Sequence, residues 1–303
     1  MGASIGSTYD AVAEIDLQKK DPCILIIEGN PRDRCELQHN HGSETGSERY
    51  AGVVRALFPQ TRIEFLHGAD LDQELPKGAE IAKFDGAIIG GSHLHVYDRA
   101  NPRVSRQIDL VRSIFEAEIP ILGSCWGLQL ATVVLGGVVQ PNVNGREIGV
   151  ARKILLTEAG RSHKMFFGKS KVFDSLCVHM DEISRLPEHA IVLASNSHSE
   201  VQAAVYNLKS SQFWGFQYHP EFNLRYLACL FKMNVEEMIK DGFFLDGVDA
   251  NYYIKMLEKL HADPGRSDIS WQLGVDDDLL NPNHRYTEIR NWIETQVLTQ
   301  VKN

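Results

Sequence analysis

The chain has 303 residues, 43% hydrophobic and 23% charged, with a formal net charge of −9. That leaves room for one or two globular domains with a sizeable core, and the acidic balance argues against a nucleic-acid or anionic-membrane surface. No apolar run approaches the roughly 18 residues needed to span a bilayer. Residues 1–21 contain no apolar signal core, and Gly6 stands where an N-myristoylation motif wants Ser or Thr. The cysteines at 23, 35, 125, 177 and 229 are odd in number, widely spread and without a C-x-x-C pair. This composition predicts a cytoplasmic protein with neither a disulfide framework nor a zinc site.

Residues 1–20 are small, polar and mixed in charge, which predicts a loose arm. Cys23 to Ile27 is a continuous apolar run, as expected of a strand buried on both faces of a parallel sheet. Residues 31–47 are polar and rich in turn formers and read as a loop. Tyr50, Val53, Val54 and Leu57 have helical spacing, and Pro59 stops that helix. Ile63 to Leu66 and Phe84 to Ile89 read as strands, the second ending in Gly90-Gly91-Ser92. Pro102 to Glu118 is amphipathic, with Val104, Ile108, Val111 and Phe115 on one side. Ile121-Leu122 then leads through Gly-Ser-Cys-Trp-Gly into a helix carrying Leu128, Leu130, Ala131, Val134 and Leu135. This alternation predicts an open, mostly parallel α/β sheet flanked by helices.

The middle of the sequence differs. Residues 137–140, 148–157, 171–178, 190–195, 202–207 and 213–218 are short β-like runs with little helix between them. They predict an antiparallel extension that returns to the main sheet at 213–218. Beyond Pro220, residues 223–240, 249–261 and 285–299 carry helical periodicity, while 262–284 are turn-rich. The expected organisation is an arm at 1–20, an α/β domain at 21–228 and a helical C-terminal extension at 229–303.

Cys125 sits where a strand turns sharply into a helix, with Gly123 and Gly127 two residues away on each side. That is the G-x-nucleophile-x-G pattern of a nucleophile elbow. The helix start is expected to favour a thiolate over a thiol. Among the twelve histidines, His219 follows a buried apolar strand and has a carboxylate two residues on, in His219-Pro220-Glu221. Nucleophile, base and orienting acid are recognised by role, not by order. Gly90-Gly91 and the backbone of Trp126 are candidate donors for an oxyanion hole. His93 and His95 alternate near that loop but have no evident third metal ligand, and Asp276-Asp277-Asp278 reads as the cap of a short helix.

Gly-Ser-Cys-Trp-Gly-Leu-Gln, followed downstream by Gln-Tyr-His-Pro-Glu-Phe, resembles the class I (triad) glutamine amidotransferases. More narrowly, the sequence is similar to the stand-alone branch near the glutaminase domain of GMP synthase. Val178-His179-Met180-Asp181-Glu182-Ile183 is similar to the His-x-Asp region of those members. The resemblance spans about Cys23 to Leu227 and implies a flavodoxin-like three-layer fold. It implies a Cys125–His219–Glu221 triad, an oxyanion hole at Gly90 or Gly91 with Trp126, and glutamine contacts from Gln129. By a weaker carry-over it implies contacts from His179 and Asp181. No metal and no cofactor is implied.

The reaction expected is hydrolysis of the terminal amide of L-glutamine through a γ-glutamyl thioester. No P-loop accompanies the motif, so the ammonia acceptor is expected on a separate synthetase or aminating enzyme. A γ-glutamyl hydrolase acting on a γ-glutamyl amine or peptide keeps the same triad with another substrate. An esterase of the α/β-hydrolase type is disfavoured, because its acid precedes the histidine in sequence order. A catalytically silent binding subunit is the remaining alternative. The C-terminal helices are expected to cap the domain, dock a partner or form a homodimer.

Overall fold

The computed structural model describes residues 21–299, so the arm expected at 1–20 lies outside the described residues. The strands are β1 (Cys23–Glu28), β2 (Arg62–His67), β3 (Gly86–Ile89), β4 (Ile121–Ser124), β5 (Val138–Pro141) and β6 (Glu147–Leu156). There follow β7 (Val172–His179), β8 (Asp181–Arg185), β9 (Ala190–Ser195), β10 (Ala203–Asn207) and β11 (Gln212–Phe216). Nine of them form one sheet in the order β2-β1-β3-β4-β11-β10-β9-β6-β7. The run from β2 to β11 is parallel, and the pairs from β11 outward are antiparallel. The expected open sheet with an antiparallel extension is thus present, and β11 is the strand that joins its two halves.

The helices are α1 (Arg32–Asn40), α2 (Gly46–Leu57), α3 (Pro102–Glu116), α4 (Trp126–Val134), α5 (Glu158–Ser162) and α6 (Leu224–Met233). After these come α7 (Val235–Lys240), α8 (Gly247–Ala262), α9 (Ser267–Leu273), α10 (Asp277–Leu280), α11 (Pro282–Arg285) and α12 (Thr287–Trp292). A π-helical turn at Ile293–Val297 prolongs α12. Strand β1 alternates between two cores. Cys23, Leu25 and Ile27 pack with Val104 and Ile108 of α3 and Leu128 of α4. Ile24 and Ile26 pack with Tyr50, Val53 and Val54 of α2 and with Ile289 and Trp292 of α12. A third core joins α6, α8 and α9 to Ile148 and Leu176 of the antiparallel half.

Four expectations need correction. Residues 32–40, read as loop, form α1; only Cys35 and Gln38 of this helix are buried, so it has no apolar stripe to detect. The turn-rich span 262–284 holds α9, α10 and α11, of seven, four and four residues, too short to show a helical period. The helix expected at 223–240 breaks at Asn234, whose side-chain amide donates to the Leu230 carbonyl at 2.7 Å. Finally, β5 does not join the extension: it pairs with β8 in a separate two-stranded sheet, and no strand was expected at 181–185. Asp276 does cap α10, accepting from the Asp278 N–H at 3.0 Å.

Candidate active site

The carboxyl ends of β3, β4 and β11 converge, which is where open α/β sheets place their ligands. Cys125 has φ 48° and ψ −97°, a left-handed region that a side chain rarely occupies. Such a conformation costs on the order of 1–3 kcal/mol and persists only where its surroundings fix it. Here the Cys125 N–H donates to the Phe216 carbonyl at 2.8 Å, tying the turn to β11. A Cβ on Gly123 would lie 2.7 Å from the Phe213 ring, and one on Gly127 2.5 Å from the Ile89 carbonyl oxygen. Both glycines are therefore required by close packing, and the elbow read from the sequence is real geometry.

His219 is fixed by its own backbone, whose N–H donates to the Leu176 carbonyl at 2.8 Å. A tight turn returns the Phe222 N–H to the His219 carbonyl at 3.2 Å. The turn brings Glu221 Oε1 within 2.7 Å of His219 Nδ1. It also stacks the Phe222 ring on the imidazole, with centroids 3.9 Å apart and planes 7° from parallel. His219 Nε2 has no hydrogen-bond partner. It is left free to exchange a proton, because Nδ1 is held by the carboxylate. Cys125, His219 and Glu221 all line one cavity of about 350 Å³. The Tyr50 hydroxyl of α2, the Ser124 hydroxyl and Glu221 Oε2 are buried without a hydrogen-bond partner.

The surroundings of the sulfur disfavour the anion. Burial, then the Asp181 and Glu221 carboxylates, push the Cys125 thiol up to about 12, against the opposing pull of the Trp126 N–H and the Gln217 amide. The Trp126 N–H at the helix start acts in the expected direction, and burial acts against it. The thiol donates to the Val178 carbonyl at 3.6 Å.

The other expected residues divide. Gly91 lines the cavity, whereas the Gly90 N–H is spent on the Ile27 carbonyl at 3.4 Å. Trp126 begins α4 with its N–H beside the sulfur. Gln129 lines the cavity and donates to Gln217 Oε1 at 3.4 Å. His179 lines the cavity, with its ring locked between Glu147 Oε2 at 2.7 Å and the Asp181 carbonyl at 3.0 Å. Asp181 lines the cavity and is held by His95 at 2.8 Å and Tyr97 at 3.1 Å. His93 instead turns to Asn30 Oδ1 at 3.0 Å, so the two alternating histidines do not share a set of ligands. Sequence reasoning missed the opposite wall. Arg34 and Gln38 of α1, Arg49 of α2 and Tyr226 and Leu230 of α6 line it. The Arg49 guanidinium sits 3.5 Å over the Tyr226 ring. Nothing in their spacing signals a pocket, since they meet only through tertiary contact.

The profile of the family described as glutamine amidotransferase class-I matches residues 61–232. The chain belongs to that family. This amidotransferase is 32% identical over 287 residues to a γ-glutamyl-L-1-hydroxyisopropylamide hydrolase from a Pseudomonas species, spanning 92% of this chain and 94% of that protein. It is 34% identical over 148 residues to a GMP synthase of Bacteroides fragilis, but those cover 49% of this chain and 26% of the synthase. It is 28% identical over 156 residues to γ-glutamyl peptidase 3 of Arabidopsis thaliana, covering 50% of this chain and 61% of the peptidase. A glutamine amidotransferase structure from Thermotoga maritima shares the fold, with a TM-score of 0.65 at 19% identity over 92% of this chain and 99% of that one. The protein is accordingly an amide-hydrolysing enzyme.

Gly91 offers a local test of this candidate site. A Cβ there would lie 2.7 Å from His219 Cε1, so the imidazole must shift to admit it. Gly91→Ala is expected to lower amide turnover about 100-fold, the scale set by an ångström of misplacement, while far-ultraviolet circular dichroism stays unchanged.

Proposed function

We propose that the enzyme hydrolyses the terminal amide bond, between carbon and nitrogen, of a γ-glutamyl amide, with L-glutamine the simplest such substrate. The observation that carries this reading is Cys125, strained into a sharp turn, in one cavity with the hydrogen-bonded His219–Glu221 pair. The Cys125 S–H proton passes to His219 Nε2 as sulfur bonds to the amide carbon and the carbonyl π pair moves onto oxygen. The N–H groups of Gly91 and Trp126 stabilise that oxyanion, each worth about 3–4 kcal/mol. Collapse breaks the C–N bond, and His219 returns its proton to the departing nitrogen. A water then attacks the thioester, giving its proton to His219, and Cys125 leaves with a proton from the same imidazole. Glu221 orients the ring and stabilises its cationic form. Gln129 and Asp181 border the glutamyl moiety.

A leaving amine larger than ammonia is favoured by the wall from α1 and α6, which this enzyme supplies itself next to Phe222. The hydrolase relative that matches along nearly its whole length supports the same choice. The second reading is a glutaminase that passes ammonia to a separate aminating enzyme, supported by the GMP synthase relatives. One assay tests both. Glutamate release is measured from L-glutamine and from γ-glutamylethylamide, with hydroxylamine added to capture the acyl group. The expected result is release from the ethylamide at least as fast as from glutamine, with γ-glutamyl hydroxamate formed from either. Release from glutamine alone would favour the ammonia donor, and no glutamate or hydroxamate from either would reject both.

A further inference from the structure

Gln217 lies at the end of β11, one residue past the register partners Phe216 and Ser124. In a parallel pair this puts it beside Cys125. Its backbone N–H donates to the Gln202 carbonyl at 2.8 Å, and the residue is 1% exposed. Its side-chain oxygen accepts from Gln129 Nε2 at 3.4 Å. That bond orients the amide, leaving Nε2 to point elsewhere, and this nitrogen is buried without a partner. An unpartnered buried donor is costly in the resting state. The register sets this residue beside Cys125, whose sulfur as a neutral thiol is a weak acceptor.

We propose that Gln217 Nε2 is a waiting donor for the Cys125 sulfur, engaged when sulfur carries negative charge. It rests on the hydrolase reading for the moment at which that charge arises. Charge develops as the S–H proton moves to His219 before the S–C bond is complete. It develops again when the thioester C–S bond breaks and sulfur departs with the electron pair. A hydrogen bond to a charged sulfur exceeds one to a thiol in strength, so the donor favours both steps without contacting substrate. The groups facing the sulfur oppose ionisation: Asp181 from β8, Glu221 after β11 and Cys177 from β7. His219 is the proton acceptor, and the Trp126 N–H is the other donor. Gln217 offsets part of that anionic field with a neutral group, and it does so from a position that Gln129 fixes.

The test reads the sulfur without any substrate. Alkylation of Cys125 by iodoacetamide is followed across pH by mass spectrometry of the Cys125 peptide in wild type, Gln217→Met and Gln217→Glu. The methionine variant keeps the side-chain length and removes the donor; its profile is expected to move to higher pH by about one unit, a tenfold slower reaction at neutral pH. The glutamate variant replaces the donor with an acceptor and a charge, and is expected to move further in the same direction. A packing role would lower thermal stability and leave the profile in place, so unshifted profiles in both variants overturn the proposal. If neither variant folds, Gln129→Leu gives the reading. It releases the Gln217 amide and is expected to shift the profile upward; an unchanged profile there overturns the proposal. Because no γ-glutamyl compound enters the assay, a shift accompanied by failure of every hydrolysis assay rejects the hydrolase reading and leaves this donor standing.

Discussion

Cys125→Ala is expected to abolish release of glutamate from any γ-glutamyl amide, a loss of about 10⁴-fold or more by analogy with removal of a triad nucleophile. Coupled detection of glutamate checks it, and turnover at the wild-type rate would show that the thiol is not the nucleophile. The same residue predicts a particular pH response. Its thiol is pushed up to about 12 in the folded protein, above its ordinary value, because burial and then Asp181 and Glu221 disfavour the anion. Alkylation of free enzyme should therefore climb with pH throughout the alkaline range. It should show no plateau at mildly acidic pH, as a resting thiolate–imidazolium pair would. The raised value also bears on stability. A folded thiol that stays neutral while an unfolded one ionises contributes stability below about pH 9, and that contribution is lost as pH rises toward 12.

The elbow was legible because its rule is local. Two glycines, a cysteine and a change of period from strand to helix lie within seven residues of one another, Leu122 to Leu128. His219-Pro220-Glu221 was legible for the same reason, and the structure closes it into a turn with a 2.7 Å Nδ1–Oε1 contact. The parallel strands were legible from continuous apolar runs, since both faces are covered. What failed shares a different cause. Helix α1 buries only Cys35 and Gln38, so its pattern is that of a loop, yet it supplies one wall of the cavity. Strand β8 carries a single fully inward apolar residue, Ile183, and its pairing with β5 is a fact of register rather than of composition. The burial that opposes ionisation of Cys125 is likewise absent from the sequence, where only the helix start can be read. The division of Gly90 from Gly91 depends on one ladder hydrogen bond, to Ile27, that no dipeptide can reveal.

Deletion of residues 245–303 is expected to leave no soluble folded protein, as read by expression yield and size-exclusion chromatography. The last described helix is part of the sheet's own core. Ile289, Trp292, Ile293 and Val297 are fully buried in the same core as Ile24, Ile26, Leu122 and Trp214 of the central strands. A Cβ on Gly86 of β3 would lie 2.9 Å from the Trp292 ring, so this helix is seated on bare backbone of the sheet. Removing it uncovers one face of the parallel sheet, and a large exposed apolar face drives aggregation. A single change probes the same contact: Trp292→Ala is expected to cost about 3–5 kcal/mol in denaturant unfolding. The seating is polar as well as apolar. Glu288 is fully buried, paired with Lys169 at 3.1 Å and accepting from the Tyr218 hydroxyl at 2.7 Å. Tyr218 precedes His219, so α12 holds the backbone that aims the imidazole. A truncated protein that stayed soluble should therefore still lose amide turnover. One that kept both solubility and turnover would show that the sheet folds and works without the cover of α12.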